Sequence, residues 1–214
     1  MNKGMIITLP RNDYVTEYIS QFSSEIIDEA DKKGINVKKL KDKQANRREF
    51  ETVVKKLNYK LIILNGHGSD KSIEGQNEVL VECKINDSIL RERITYARSC
   101  NAGKVLGKSC MKNNKKGCFL GYELPFMFYI DENWISTPKR DKIAPLFLEP
   151  SNLVPISLIK GNSAFHAHEN SKKQLLKNIN KVLRNGSKES FLFAEALWNN
   201  YTGQVLIGND SASL

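Results

Sequence analysis

Runs of apolar residues alternate with amphipathic segments along the N-terminal half of this chain. The runs 5–9 and 61–64 have the length of buried strands, and 35–40 alternates with lysines as an edge strand does. Between them, apolar residues recur at helical spacing over 12–34 and 49–57. The order strand, helix, strand, helix, strand predicts a parallel sheet covered by helices.

Shorter elements and one long irregular stretch follow in the C-terminal half. The patterns predict strands at 79–84, 95–99, 118–121 and 204–207, and helices at 87–93, 103–111, 169–183 and 189–199. Residues 124–155 hold every proline except Pro10 and show no clear period, so we expect a long excursion there, with 126–148 forming a wall of a substrate cleft. Since no repeat or linker divides the chain, residues 1–214 are expected to form a single domain.

Charge narrows the choice of partners only in part. The 214 residues include 33 basic and 24 acidic side chains, which gives a formal net charge of +9. Such a surplus fits a lysine-rich solvated surface as well as an anionic partner. The basic regions 32–48 and 172–188 carry few aromatic residues, which argues against a groove for single-stranded nucleic acid. We therefore do not expect direct binding of nucleic acid.

The chain has four cysteines: Cys83, Cys100, Cys110 and Cys118. They form no CxxC pair, so neither a zinc knuckle nor thioredoxin chemistry is indicated. The first apolar run is too short for a signal peptide or a membrane span, which predicts a cytoplasmic protein with free thiols and no membrane contact. His166, His168 and Glu169 would share a metal only if they lay on a strand, and without further ligands we expect solvated residues before a helix, no metal and no cofactor.

Two residues with catalytic chemistry follow predicted strands. His67 lies between Gly66 and Gly68 after the strand 61–64, and Cys100 comes directly after the strand 95–99. If these strands are neighbours in a parallel sheet, about 4.8 Å apart, their carboxyl ends bring both side chains within reach. An imidazole can accept the thiol proton, and the thiolate is the attacking species. The pattern thus predicts Cys100 as a nucleophile and His67 as its base.

The surrounding backbone fits the same chemistry. Gly66 and Gly68 would allow positive φ, and the N–H groups of Gly68 and Cys100 are candidates for an oxyanion hole. A helix over 103–111 would direct its positive end at the thiolate. Taken alone, each side chain also has a structural explanation, since a cysteine at a strand end is usually a small buried residue and a histidine between glycines is often only part of a turn.

These motifs resemble those of a known superfamily. Gly66-His67-Gly68 after one strand, a hairpin, and Ser99-Cys100 after the next strand resemble the caspase, gingipain, clostripain and separase superfamily of cysteine peptidases, and within it the bacterial CHAT-type proteases. The closing segment 205–210 resembles that of the same branch. The resemblance implies a caspase-like three-layer sandwich with a mostly parallel central sheet of about six strands, and peptide-bond hydrolysis of a protein substrate by His67 and Cys100. It also implies control by a partner or sensor protein and a role in bacterial defence.

The same resemblance gives a substrate pocket. It implies that Arg98 and Ser99, just before the nucleophile, bind substrate, and the cation at Arg98 would favour an acidic or neutral residue before the cleaved bond. The alternative is that Arg98 points to the other face and pairs with Glu82 or Glu92. Two other functions remain open at this point: a catalytically silent caspase-like module with a basic partner-binding surface, and a flavodoxin-like domain that binds nucleic acid.

Overall fold

A six-stranded sheet forms the centre of the computed structural model, which describes residues 1–214. The strands are β1 (Asn2–Leu9), β2 (Asn36–Lys41), β3 (Tyr59–Asn65), β4 (Ser72–Glu74), β5 (Val79–Glu82), β6 (Ile94–Arg98), β7 (Cys118–Tyr122) and β8 (Gln204–Gly208). The central sheet has the order β2-β1-β3-β6-β7-β8, and all its pairs are parallel except β7 with β8. The short strands β4 and β5 form a separate antiparallel hairpin.

Helices cover both faces of this sheet. They are α1 (Tyr14–Phe22), α2 (Ser24–Lys32), α3 (Arg47–Leu57), α4 (Leu106–Met111), α5 (Pro145–Ile159), α6 (Ala164–Leu183) and α7 (Lys188–Gly203). One core cluster joins the sheet to α2, α5 and α6, and another joins its opposite face to α3, α4 and the β4–β5 hairpin. The predicted α/β class with a mostly parallel sheet of about six strands and helices on both faces is therefore confirmed. None of these helices combines the length and the apolar composition that a membrane crossing requires.

Successive side chains of the inner strands supply both cores, because side chains alternate across a strand. Met5 and Ile7 pack into the α2, α5 and α6 face, while Ile6 between them packs into the opposite one. All three side chains are fully buried. This explains why the strand reads as a continuous apolar run rather than an alternating one.

Several element boundaries differ from those expected. The helix predicted over 12–34 is interrupted at Ser23, whose hydroxyl bonds the carbonyl of Ile19 and receives a hydrogen bond from Asn65. The helix predicted over 87–93 is only a 3-10 turn at Asp87–Leu90. The excursion predicted over 124–155 is wrong from Pro145 onwards, where the chain enters α5.

The strand order creates a crevice at the carboxyl ends of the central strands. From β1 the chain moves to β2 on one side and then returns to β3 on the other, so the loops after β1 and β3 leave in opposite directions. Open α/β sheets bind ligands at such a switch point, outside the carboxyl ends of the strands. The residues that follow β1, β3 and its next neighbour β6 therefore lie where such sheets bind ligands.

Candidate functional site

Register brings the predicted histidine and cysteine to the same level of the sheet. Asn65 of β3 is paired with Arg98 of β6, and both His67 and Cys100 lie two residues beyond that pair. The two turns are in contact, since a Cβ placed on Gly68 would lie 2.9 Å from the carbonyl oxygen of Cys100. The predicted convergence of these two strand ends is thus present in the fold.

A third functional group comes from the loop after β1. His67 Nε2 and the Asp13 carboxylate are 2.6 Å apart, and their side chains are 42% and 39% exposed. Asp13 is also the N-cap of α1, where its carboxylate accepts a hydrogen bond from the backbone N–H of Thr16. Partial burial opposes its ionisation, but the hydrogen bonds from Thr16 and His67 outweigh that effect and hold the pKa of Asp13 below its ordinary value. Asp13 is therefore a carboxylate that orients the imidazole.

Cys100 follows β6, in the turn that contacts the turn of His67. Its thiol donates to the carbonyl of Phe126 at 3.9 Å and makes no hydrogen bond with His67 in this state. Burial raises the pKa of the thiol above its ordinary value. Since His67 binds Asp13 through Nε2, its Nδ1 is left free of intramolecular hydrogen bonds. Proton transfer from sulfur to this nitrogen requires the thiol to turn away from Phe126.

The expected stabilisation by a helix N-terminus is wrong. The helix α4 begins at Leu106 rather than 103 and has only six residues. The N–H of Leu106 already donates to Asp70, and that of Gly107 donates to Ala102. These two N–H groups at the start of α4 therefore have backbone acceptors, and neither is hydrogen-bonded to Cys100.

Two backbone N–H groups at the site have no protein acceptor. Gly68 forms a bridge with Ile73 in which the flanking residues make the hydrogen bonds, so its own N–H stays free, and the N–H of Cys100 is also unpaired. These are the groups expected to form an oxyanion hole. Positive φ occurs at Gly66, at +153°, but not at Gly68, where the expectation is wrong. The glycine at position 68 is required instead by the close approach of Ser99.

The residues expected to bind substrate are both buried. Arg98 is 0% exposed and Ser99 is 2% exposed, so neither presents a surface to a ligand in this state. Arg98 lies on the α5 side of the sheet and donates to the side chain of Asn152, while its Nε and Nη1 have no partner. The alternative pairing is wrong, because Glu82 binds Arg47 and Glu92 binds Lys116. A role of Arg98 and Ser99 in substrate binding stays a prediction.

The remaining cysteines and histidines lie away from this crevice. All four thiols are free, and burial raises the pKa of Cys110 and Cys118 to about 12. His166 and His168 are on the helix α6 and not on a strand, so residues two apart point in different directions. His166 bonds Ser163, and His168 bonds the carbonyl of Gln204. The structure gathers no group of three or more His, Cys, Asp or Glu side chains that could hold a metal ion.

Neither the models of known protein families nor the curated proteins contain a match to this chain. Fold and site together define an α/β protein in which a carboxylate, an imidazole and a thiol follow the neighbouring strands β1, β3 and β6. Asp13 is the one member of this set that the sequence did not predict.

Proposed function

We propose that this chain is a cysteine hydrolase with Cys100 as nucleophile, His67 as base and Asp13 as the residue that positions His67. The observation that supports the proposal is that these groups follow three adjacent parallel strands at one end of the sheet, where Asp13 contacts His67 and the turns of His67 and Cys100 touch. A thiol, an imidazole and an orienting third group are the parts that covalent acyl transfer needs.

More particularly, the proposed activity is that of a caspase-like cysteine endopeptidase of the CHAT type, acting on peptide bonds of a protein substrate. Its support is the Gly66-His67-Gly68 and Ser99-Cys100 motifs together with a sheet whose strand ends carry them. We place the protein in the cytoplasm and infer control by an activating or sensor protein, with a role in bacterial defence. The contact of the thiol with the Phe126 carbonyl, rather than with His67, is compatible with such control.

The proposed reaction proceeds through a thioester. The Cys100 thiol gives its proton to Nδ1 of His67, and the thiolate attacks the carbonyl carbon of the scissile bond. The N–H groups of Gly68 and Cys100 donate hydrogen bonds to the carbonyl oxygen and stabilise the negative charge that forms on it. The imidazolium returns its proton to the leaving amine as the carbon–nitrogen bond breaks. Water, deprotonated by His67, then hydrolyses the thioester and frees the thiol.

Asp13 acts through His67 in this scheme. Its carboxylate fixes the ring through Nε2, which keeps Nδ1 available, and its charge stabilises the imidazolium formed on proton transfer. This matters because burial raises the pKa of Cys100 and disfavours a thiolate without a charged neighbour. We propose an acidic or neutral residue before the cleaved bond, bound by Arg98 after it becomes accessible.

A second candidate function is a catalytically silent caspase-like module with a basic partner-binding surface. The observation in its favour is the resting geometry, in which His67 binds Asp13 and the thiol binds Phe126. The net charge of +9 would attract an acidic partner. Under this alternative, the thiol of Cys100 has no special reactivity.

Competition among the cysteines for a substoichiometric thiol reagent separates the two functions. Iodoacetamide is added at pH 7.5, and the labelled positions are followed over time by peptide mass spectrometry. Cys83 serves as internal reference because it is also half-buried but follows the hairpin strand β5 rather than a strand of the central sheet. We expect Cys100 to react first in the wild type and to lose that advantage in the His67→Ala variant.

Two results would contradict the proposed hydrolase. One is equal labelling of Cys100 and Cys83 in the wild type, which would favour the silent module. The other is preferential labelling of Cys100 that persists unchanged in His67→Ala, which would remove His67 from the chemistry. A His168→Ala variant controls for the loss of an imidazole elsewhere in the chain.

A further inference from the structure

An apolar groove adjoins the proposed catalytic crevice. It has a volume of about 520 Å³, and all but one of its lining residues are apolar. The lining consists of Tyr14, Val15, Phe126, Phe128, Tyr129, Ile130, Glu132 and Ile135. Tyr14 and Ile135 are 57% and 45% exposed, so the groove is open to solvent. Exposed clusters of this kind mark binding sites in soluble proteins.

Two residues that line the groove adjoin the proposed catalytic residues. On one wall, Tyr14 directly follows Asp13, the partner of His67. On the other wall, Phe126 supplies the carbonyl that the Cys100 thiol contacts. A chain bound across the thiol would therefore lay a neighbouring side chain into the groove.

The backbone of the groove favours a peptide as its occupant. Residues 126–130 have no regular secondary structure, and the N–H groups of Phe128, Tyr129 and Ile130 have no intramolecular acceptor. The Phe126 and Phe128 rings pack on each other, and Phe128 also packs on Tyr18, which holds this segment in place. A peptide that pairs with a protein backbone accepts hydrogen bonds from free amides such as these and places its side chains in an adjoining apolar groove.

We propose that this groove is the specificity subsite for a large apolar side chain of the peptide substrate, close to but not at the residue before the cleaved bond. The inference rests on the proposed peptidase function and adds to it the class of sequence that is cleaved. Leu, Ile or Phe fits the lining, whereas a carboxylate would meet Glu132 in an apolar surrounding.

Peptidyl acyloxymethyl ketones that alkylate Cys100 test this subsite. A set of four-residue probes carries Leu in turn at each of the three positions before the reactive residue, with Ser at the same position in the matched probe. We expect one position at which the Leu probe reacts about tenfold or more faster than its Ser partner, because apolar pockets discriminate to that extent. Iodoacetamide, which does not fill the groove, supplies the intrinsic reactivity of the thiol.

Two aspartate variants localise the effect. Ile135→Asp places a charge in the groove, and Ile85→Asp makes the same change at an isoleucine that is 64% exposed and lies outside it. We expect Ile135→Asp to lose the Leu preference, Ile85→Asp to keep it, and both to react with iodoacetamide as the wild type does. Tyr14→Ser is a second groove variant, and its loss of preference is expected even if Ile135→Asp folds poorly.

The outcomes separate the subsite from the proposed function. Equal rates for Leu and Ser probes at every position, or a preference that survives in both groove variants, would overturn the subsite and leave the hydrolase intact. If Cys100 showed no special reactivity with iodoacetamide, the proposed nucleophile would be wrong. Binding of unreactive labelled Leu and Ser peptides to Cys100→Ser, measured by fluorescence anisotropy, then tests the groove separately from the nucleophile. Tighter binding of the Leu peptide that is lost when Ile135→Asp is added supports the groove as a binding site. Equal binding of the two peptides refutes it.

Discussion

Asp13 combines a structural contact with the proposed functional one, and two substitutions separate them. Its carboxylate accepts the Thr16 N–H at the start of α1 and also binds the ring of His67. Asparagine is about as good an N-cap as aspartate, whereas alanine is a poor one. Asp13→Asn therefore keeps the cap and removes the charge, and Asp13→Ala removes both.

The structure sets the size of each effect. Loss of the cap costs about 1 kcal/mol, which lowers the Tm of a chain of this size by about 2–4 °C. The Asp13–His67 pair is 39% and 42% exposed, so solvent screening limits its contribution to about 1 kcal/mol. That free energy corresponds to about a fivefold change in the population of the thiolate–imidazolium pair.

The assay measures the alkylation rate of Cys100 together with the melting temperature. We expect Asp13→Asn to slow alkylation about fivefold with a smaller change in Tm than Asp13→Ala. We expect Asp13→Ala to slow it to a similar extent and to melt about 2–4 °C lower. Alkylation of Asp13→Asn at the wild-type rate would refute the positioning role of this carboxylate and leave it as a helix cap only.

The pH dependence of stability supplies a check on the same carboxylate. Because its folded-state pKa is lowered, Asp13 stabilises the protein at pH values above its unfolded pKa of about 3.9, and this contribution is lost as the pH falls through the folded value. The difference in Tm between wild type and Asp13→Asn should therefore be present at neutral pH and vanish once the pH falls below the lowered folded-state pKa of Asp13. A difference that persists in acid would have another cause.

Three further predictions concern the strand ends and the core. Gly68→Ala places a Cβ 2.9 Å from the Cys100 carbonyl oxygen and against Ser99, so we expect a loss of about 1–3 kcal/mol in urea unfolding; unchanged stability would contradict the tight contact. Arg98→Met removes a fully buried guanidinium with two unpaired nitrogens, so we expect an unchanged or higher Tm. We also expect peptide-library cleavage to lose any preference for acidic residues. A retained preference would exclude Arg98 as the residue that binds the acidic side chain. Cys110 and Cys118, with thiol pKa values of about 12, should resist alkylation at pH 8 until the protein is denatured, and rapid labelling in the native state would contradict their burial.

The sequence was sufficient to predict the central sheet and the adjacency of the two strand ends that precede His67 and Cys100. Long apolar runs mark β1 and β3 because both faces of each strand are covered. His67 and Cys100 follow consecutive long strands, and in parallel sheets such strands are commonly neighbours. Their proximity therefore follows from local patterns and a general rule of connectivity.

Two features could not be predicted in the same way. The contact of Asp13 with His67 depends on β1 lying beside β3, which a residue in a short connecting loop does not reveal. The available signal for Asp13 was that an acidic residue follows β1, the strand at the switch point. The helix α5 contains Pro150 and Pro155 and is mostly buried, so it lacks both an amphipathic period and the composition of a helix. Its stability comes from packing against the sheet, α2 and α6.

The structure of a covalent adduct with a peptidyl acyloxymethyl ketone tests most directly whether one crevice holds both reacting groups. We expect the sulfur of Cys100 to carry the peptide, the adduct's carbonyl oxygen to lie about 3 Å from the N–H groups of Gly68 and Cys100, and the His67 ring to stand beside the sulfur. An adduct on Cys83, or one on Cys100 whose carbonyl faces solvent while His67 stays out of hydrogen-bond reach, would contradict the proposed chemistry.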